Sequence, residues 1–575
     1  MNNEQVAEVL NDIAEILEIK GESKYRIRAY QQAARSIEFM PEDVNQVYRE
    51  GHLDDIPYIG KSIAAKVADV LEHGYSSYLE ELEESIPPGI ESLLQIPGIG
   101  PKTAVRLYQE LGIDNIESLR VAAEEQRIRQ LRGMGKKTEE NILKGIKWLQ
   151  GKSPRLPLGV AAILVERILE QLRRDPFVCN LVVVGSYRRM KPTVGDIDIM
   201  GTSDRPETVI DLFTALPDVD RIMAKGRTKA TVLAENGLQI DLRIVPHESL
   251  GSLLQHFTGS KEHNVQLREY ALSKGFSVSE YGITNIKTGW RIPCATEEQV
   301  YSILELPYIP PEIRQGSGEI EAAVAGKLPV PVTQQDICGD LHTHSNWSDG
   351  RSSLAEMALA AREKGYRYLA VTDHSPGLGI AHGLSPERLR LQWREIDDLN
   401  NRLKGITLLK GSEVDIRADG SLDLPDKLLK ELDIVLGAIH SGMRESGDLI
   451  TERVIRAMRN PYLNILAHPT GRLIGSREPY DIDMEKIIKA AADLKVILEI
   501  DGTPDRLDLD GRHARRAKEL NAKIAISSDA HQVSGLNNMR FGVGTARRGW
   551  LEKRDVVNSW KLKELQTFLN QHRGK

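Results

Sequence analysis

Cysteine is scarce in this chain of 575 residues: Cys179, Cys294 and Cys338 stand far apart, with no paired spacing. That excludes a disulfide scaffold and points to a reducing compartment. No apolar run approaches the roughly 18 residues that a membrane-spanning helix needs. The first residues, Met1-Asn2-Asn3-Glu4, lack a basic stretch followed by an apolar one, so no leader is expected and the compartment is read as the cytoplasm. A global basic field is missing too, because the net charge is −7. Charge is nevertheless uneven. Residues 101–200 hold 18 Lys and Arg against 12 Asp and Glu, a local excess able to follow a phosphate backbone.

With 41% hydrophobic and 28% charged residues, the composition is that of a globular protein able to bury several cores. The length itself argues for roughly three or more domains. Residues 1–150 read as short amphipathic helices, since Val6, Val9, Leu10, Ile13, Ile16 and Leu17 recur at helical spacing. Between 181 and 245 the pattern changes to short strands, as in Leu181-Val182-Val183-Val184 and Ile240-Asp241-Leu242-Arg243-Ile244. The stretches 306–311 and 327–332 are too rich in Pro for regular structure, and a boundary is expected near 320–337. From Cys338 onward strand-like and helical segments alternate, the signature of a mainly parallel α/β sheet or barrel.

The second half carries a concentration of possible ligands. Of 14 His, six fall in short segments: His342 and His344, His374, His440, His468 and His531, accompanied by Asp340, Asp373, Glu413 and Asp529. Several follow apolar runs, such as Tyr368-Leu369-Ala370-Val371 and Ile434-Val435-Leu436-Gly437-Ala438-Ile439. Imidazole and carboxylate bind borderline and hard divalent ions, and clusters at the ends of separate strands can converge on one hydrolytic centre.

The first half carries a different constellation. Val184-Gly185-Ser186-Tyr187-Arg188-Arg189 precedes Gly195-Asp196-Ile197-Asp198, and the Asp-x-Asp alternation puts both carboxylates on one face of a strand. Asp241, on another strand-like segment, would be the third. Three carboxylates holding two Mg²⁺ suit attack of a hydroxyl on a triphosphate, with Gly185 and Ser186 opening a helix toward the phosphates. Upstream lie three Gly turns: Ile56-Pro57-Tyr58-Ile59-Gly60-Lys61, Ile96-Pro97-Gly98-Ile99-Gly100-Pro101-Lys102 and Leu131-Arg132-Gly133-Met134-Gly135-Lys136-Lys137. A Gly turn at a helix start leaves N–H groups for a phosphate, so Gly60, Lys61, Gly98, Gly100, Lys102, Gly133, Gly135 and Lys136 are candidate phosphate contacts, and the resemblance of these turns to helix-hairpin-helix motifs implies that the phosphates are those of a DNA backbone. The turns resemble helix-hairpin-helix motifs, although the first has Tyr58 where Gly is usual.

On these residues, 1–315 resemble a family X DNA polymerase, the group of DNA polymerase beta, and 338–575 resemble the PHP (polymerase and histidinol phosphatase) domain. The resemblance implies a multidomain protein: helical helix-hairpin-helix domains, an α+β nucleotidyltransferase palm and thumb, and a C-terminal distorted (β/α)₇ PHP barrel. The divisions are 1–85, a 5′-phosphate-binding, lyase-like domain; 86–152, helix-hairpin-helix fingers; 153–247, palm; 248–318, thumb; 319–337, Pro-rich linker; and 338–575, PHP. It further implies that Asp196, Asp198 and Asp241 are the catalytic carboxylates. Arg155, Gly185, Ser186 and Arg189 would hold the triphosphate; Phe257, Gly259, Asn264 and Arg268 would meet the sugar, base and template side. Two departures stand here, His256 for the usual Tyr and Lys261 for an Asp, so sugar discrimination is expected to differ in degree. Lys66 falls where lyase-active relatives form a Schiff base, near the 5′-phosphate-like stretch Lys24–Tyr30.

In the PHP region the implied ligands are His342, His344, Asp349, His374, Glu413, His440, His468, Asp529 and His531. Up to three ions, Mn²⁺ or Zn²⁺, would support hydrolysis of a phosphodiester by metal-activated hydroxide, with Mg²⁺ serving the polymerase. The expected activities are filling of short DNA gaps with dNTPs, 3′–5′ exonuclease digestion, and cleavage or lyase action at abasic sites. Gapped or nicked double-stranded DNA is the expected partner of a monomer associated with the nucleoid. A small-molecule phosphatase fused to a degenerate polymerase and an idle DNA scaffold compete with this reading, and the intact Asp triad speaks against both.

Overall fold

The computed structural model describes residues 3–572 except 21, 39, 41–42, 74–75, 85–92, 94–98, 100, 132–133, 137, 140–141, 144–145, 147–154, 235–236 and 379–380. The chain forms two compact units, 1–153 and 154–575. In the first, the helix Asn3–Ile19 buries Val6, Leu10, Ile13 and Leu17, a stripe at the spacing of one helical face. Against it the helix Lys24–Glu38 packs Ile27, Tyr30, Ala34 and Ile37. A second core gathers Ile99, Ala104 and Leu107 with Leu119, Ala122 and Ala123. Its helix Ile116–Glu124 starts where Asn115 and Ser118 cap one another reciprocally.

The second unit begins with a five-stranded sheet: β1 (Cys179–Val183), β2 (Asp196–Thr202), β3 (Val219–Lys225), β4 (Lys229–Ala234) and β5 (Gln239–Ile244). The strand order is β1-β2-β5-β4-β3, with only β2 and β5 parallel. Ile197, Ile199, Ile240 and Leu242 alternate onto the face covered by the helices Leu158–Arg173 and Pro206–Thr214. That alternation turns the carboxylates of β2 to the opposite face. A small domain follows, with helices Leu250–Thr258 and Lys261–Ser273, a three-stranded sheet, and a core of Leu267, Ile283, Cys294 and Tyr301.

Residues 339–527 supply seven strands: β6 (Gly339–Asp340), β7 (Tyr368–Val371), β8 (Thr407–Asp415), β9 (Ile434–Ala438), β10 (Ile465–Leu466), β11 (Ile497–Asp501) and β12 (Ile524–Ser527). They pair in chain order, every neighbour parallel. A bridge from Thr343 to Ala530 joins the two ends into a nearly closed barrel. Strands buried on both faces read as continuous apolar runs, and every residue of β9 is buried. Among the described residues no helix is long and apolar enough to cross a membrane.

The segment 319–337, expected as a linker, is packed rather than tethering. It holds a helix, Glu319–Val324, and Ile320, Ala323 and Val332 are buried. The Val332 N–H donates to the Leu551 carbonyl at 2.9 Å, and Arg547 grips both Glu312 (2.8 Å) and the Val332 carbonyl (3.1 Å). Barrel and palm share a core as well: Leu507 and Phe541 are buried among palm side chains. Burial of each contributes roughly 1.5–3 kcal/mol. Pro504 lies where any side chain at position 159 would stand, 2.2 Å from a Cβ built on Gly159.

Candidate functional site

Two separate constellations emerge within residues 154–575. In the palm, Asp198 of β2 and Asp241 of β5 are direct partners in the parallel register, and Asp196 lies two residues earlier on the same face. Asp196 is exposed, Asp198 half-buried and Asp241 buried. Burial, then the charges of Asp196 and Asp241, push the Asp198 carboxyl up to about 6. Burial also raises Asp241, but hydrogen bonds from Thr231, Gln239 (2.8 Å) and Lys229 (3.2 Å) outweigh it and hold that carboxyl below its usual range. Three carboxylates on one sheet face, one of them raised by the charge of the other two, are of the chemistry that divalent cations take.

Beside them the turn Gly185–Arg188 is a single helical turn, and Gly185 has φ 67°. The buried Ser186 Oγ has no hydrogen-bond partner. Arg189 is buried and donates to the Thr258 carbonyl of the thumb, while Arg155 donates to the Thr193 hydroxyl (3.0 Å) and carbonyl (2.5 Å). Gly259, with φ 67°, lies against Arg189: a Cβ there would stand 3.0 Å from its Nη1. Phe257 packs under the Arg243 guanidinium and edge-on to His256. Both polar ends of Asn264 are used within the thumb, toward the His256 carbonyl (2.7 Å) and Gln255 (2.8 Å), and Arg268 donates to the Asn264 carbonyl (3.1 Å).

The sequence reading missed a chain of charges joining palm to thumb. Arg188 contacts Thr258 (2.6 Å) and Glu297, and Glu297 also takes the fully buried Arg314 at 2.6 Å. Buried charges persist only when paired in this way.

Of the Gly turns, Gly98, Gly100 and Gly133 lie outside the described residues, as does the Lys102 side chain. In the first turn Tyr58 takes φ 66°, the left-handed conformation usually given to Gly, and the Gly60 carbonyl accepts from Ile63 and Ala64 as the helix Lys61–His73 begins. In the third, the Gly135 carbonyl accepts from Thr138 and Glu139, and Lys136 follows at the helix start. Lys66 sits with its ammonium 4.5 Å from the Tyr78 ring centre, and Arg26 donates to the Tyr78 hydroxyl at 2.8 Å. Burial, then the Arg26 charge, hold the Lys66 ammonium below the usual lysine range, the direction that frees an amine for attack.

The barrel gathers all nine expected ligands at the C-terminal ends of its strands, where barrel sites lie. Three groups overlap: His344, Asp349, His374 and His531; His342, His344 and Asp529; His374, Glu413 and His440. Glu413 stands at the centre. Its Oε2 lies 2.9 Å from His374, 3.5 Å from His342 and 3.7 Å from His344, while Oε1 lies 2.8 Å from His468 and 3.3 Å from His440. Asp349 reaches His374 at 3.3 Å and His531 at 3.4 Å. Two ligands, His468 (φ 28°) and Asp529 (φ 48°), occupy the left-handed region that side chains avoid, the kind of backbone cost found at functional sites.

The donor set fits cations. His344 Nδ1, His374 Nδ1 and Asp529 Oδ1 are buried without hydrogen-bond partners, and the Nε2 atoms of His342 and His344 face each other at 3.1 Å. Burial opposes charge on His342, yet Glu499, Asp529 and Glu413 hold it well above the usual imidazole value; His440 and His531 are pushed up to about 9 by Glu413, Asp415, Asp349 and Asp529 against the same burial. Burial, then the neighbouring His531 and His374, pull His344 down, and burial, then Arg506, pulls His468 down against Glu413. Protons thus occupy the place of positive charge that the carboxylates demand.

Supporting carboxylates, not assigned from the sequence, orient the rings. Glu499 on β11 accepts from His342 Nδ1 and from the His468 N–H, both at 2.8 Å, and Asp415 takes His440 Nδ1 at 2.7 Å. Asp373 is no ligand: it anchors Ser345, Ser348 and Gln392. An acid in the middle of the apolar strand Ile497-Leu498-Glu499-Ile500-Asp501 was the available signal for Glu499.

Residues 1–76 match a helix-hairpin-helix domain, 90–147 a SAM-like helix-hairpin-helix tandem, 253–315 the DNA polymerase beta thumb and 340–503 the PHP domain. Over 575 residues, the whole length of both, the chain is 38% identical to a protein of Bacillus subtilis (strain 168) named DNA polymerase/3'-5' exonuclease PolX. It is 27% identical to DNA polymerase lambda of Rattus norvegicus over 342 residues, 54% of this chain and 56% of that one. Over 248 residues, 41% of this chain and 96% of the relative, it is 35% identical to a Thermoanaerobacter sp. (strain X514) protein named "Probable phosphatase".

Proposed function

The chain belongs to the family X DNA polymerases that carry helix-hairpin-helix domains, a polymerase beta thumb and a C-terminal PHP domain, and from that premise we propose a repair enzyme that fills short gaps at one centre and trims 3′ ends at another. It is a DNA polymerase with a PHP-domain 3′–5′ exonuclease; it depends on divalent metal ions, and DNA and dNTPs are its substrates. The observation carrying the two-centre reading is that the Asp196/Asp198/Asp241 face and the nine-ligand cluster have no residue in common. The finer assignments extend this reading: gapped or nicked DNA as substrate, Mg²⁺ at the palm, up to three Mn²⁺ or Zn²⁺ in the barrel, and a monomer in the cytoplasm at the nucleoid.

At the palm, bound cations supply Lewis acidity toward a 3′-hydroxyl and a leaving pyrophosphate. Asp196, Asp198 and Asp241 would hold them, and Ser186 and Arg189 would offer donors to the triphosphate. An Asp198 carboxyl near 6 must lose its proton to ligate. Lowering pH through about 6 is therefore expected to raise the Mg²⁺ concentration that half-saturates nucleotide addition. Half-saturation that stays constant from about pH 5.5 to 7.5 would remove Asp198 from the ligand set.

In the barrel, the nine ligands would hold ions that, when bound, would supply Lewis acidity toward a phosphodiester and a water. Glu413 and Asp349 hold the cluster together, while Glu499 and Asp415 fix the ring orientations. In the N-terminal unit, Arg26, Lys66 and Tyr78 support a 5′-phosphate pocket and, through the lowered Lys66 amine, lyase action at abasic sites. Gap filling is accordingly expected to be faster when the downstream strand begins with a 5′-phosphate, and the preference should shrink as salt rises. Single-nucleotide-gapped duplexes with either 5′ end, compared at low and high salt, test this. Equal rates on 5′-hydroxyl and 5′-phosphate gaps at low salt would defeat the pocket assignment.

A further inference from the structure

We propose that Arg548, a residue of the PHP domain, is a positioning residue of the polymerase centre, fixing the turn that carries Ser186 and Arg189 against the thumb and so setting the affinity for the incoming triphosphate. The inference rests on the reading of Ser186 and Arg189 as triphosphate contacts.

The helix Met539–Arg548 lies behind that turn. Arg548 Nη1 donates to the Arg189 carbonyl at 2.8 Å, and its Nη2 donates to Gln315 Oε1 at 2.9 Å, so one guanidinium ties palm to thumb. Gln315 in turn donates to the Arg548 carbonyl at 3.2 Å, which closes the link from both sides. One residue on, Met190 packs into the helix at Gly544, where a Cβ would stand 2.6 Å from Met190 Cγ. Arg189 itself reaches forward to the Thr258 carbonyl. Its backbone is thus held from the PHP side and its side chain from the thumb side.

Charge supports the same role. Arg155, Arg189, Lys191 and Arg548 lie close enough to influence one another: burial, then Arg189, Arg548 and Arg155, hold the Lys191 ammonium below its usual range, with Glu262 opposing. Burial and then Arg189 push Arg548 down to about 10, offset in part by Asp510 and Glu312. Mutually repelling cations gathered around a turn with an unpartnered buried hydroxyl are arranged for a polyanion. Lys191 joins this group from the palm, and neither it nor Arg548 was singled out in the sequence.

The test is steady-state filling of a one-nucleotide gap by the full-length protein. Arg548→Met keeps the apolar stem and removes both charged donors, and is expected to raise KM for the dNTP about tenfold while kcat changes less than about twofold. Arg548→Lys should recover part of the loss, and digestion of a single-stranded 3′ end should proceed at the original rate. Arg189→Lys is the control for the underlying reading. If it leaves KM unchanged, the triphosphate assignment fails; if it raises KM while Arg548→Met does not, the positioning role alone fails. Equal loss of synthesis and nuclease in Arg548→Met would also overturn the proposal, since that marks general destabilisation. Should Arg548→Met not fold, Gly544→Ala pushes the flexible Met190 side chain and should raise KM by the same route; an unchanged KM there counts against it.

Discussion

Asp198→Ala is expected to remove gap filling by at least about a thousandfold in kcat while digestion of a single-stranded 3′ end continues at its original rate. Asp198 faces Asp241 directly across the parallel β2–β5 register and shares its strand face with Asp196, so it is the carboxylate closest to both others in sequence and register. Without it the remaining pair, Asp196 and Asp241, lacks the carboxylate that links them. The fold should survive the change. The folded value of Asp198, about 6, lies above the roughly 3.9 of an unfolded aspartate. Its ionisation therefore costs stability as pH rises through about 6, and deleting the carboxyl relieves that cost at neutral pH. A melting temperature in metal-free buffer at pH 7 that stays level or rises would accompany the lost synthesis. Loss of both activities in a folded Asp198→Ala protein would sink the two-centre reading.

The sequence made one layer of this site legible and hid another. Asp196 and Asp198 declare themselves because alternation in a strand fixes which side chains share a face; that is local information. The pairing of Asp198 with Asp241 is not local, because it depends on β5 inserting beside β2. In the barrel, the histidines could be read because most follow an apolar run, and strand ends converge in this architecture. Glu499 escaped because it lies inside its strand, where its neighbours signal core and only the contacts with His342 and His468 reveal its use. The Pro-rich stretch before the barrel looked like a tether, as its composition alone suggests. Its order comes from Leu551 and Arg547, far along the chain, and no local pattern could announce those contacts. Arg548 was invisible for the same reason: its role exists only in the packed unit.

Glu413→Gln should have the mirror effect of Asp198→Ala: nuclease activity lost by about a thousandfold, gap filling in Mg²⁺ retained, and bound Mn²⁺ or Zn²⁺ reduced in the purified protein. The argument is one of geometry and charge. Glu413 addresses five histidines, three through one oxygen and two through the other, so its two oxygens reach members of all three overlapping ligand groups. Gln keeps the size and one acceptor but removes the negative charge that the buried rings share. A cluster with six imidazoles among nine donors favours Mn²⁺ or Zn²⁺ over Mg²⁺, which prefers oxygen ligands and keeps its waters. Chelator-stripped wild-type protein should accordingly regain 3′-end digestion on Mn²⁺ addition at constant Mg²⁺, with little change in synthesis, whereas Glu413→Gln should regain little. Elemental analysis of both proteins, beside the two activity assays, decides the matter. Full nuclease recovery in Mg²⁺ alone after stripping would overturn the metal assignment, and an unchanged metal content in Glu413→Gln would show that Glu413 does not hold the cluster together.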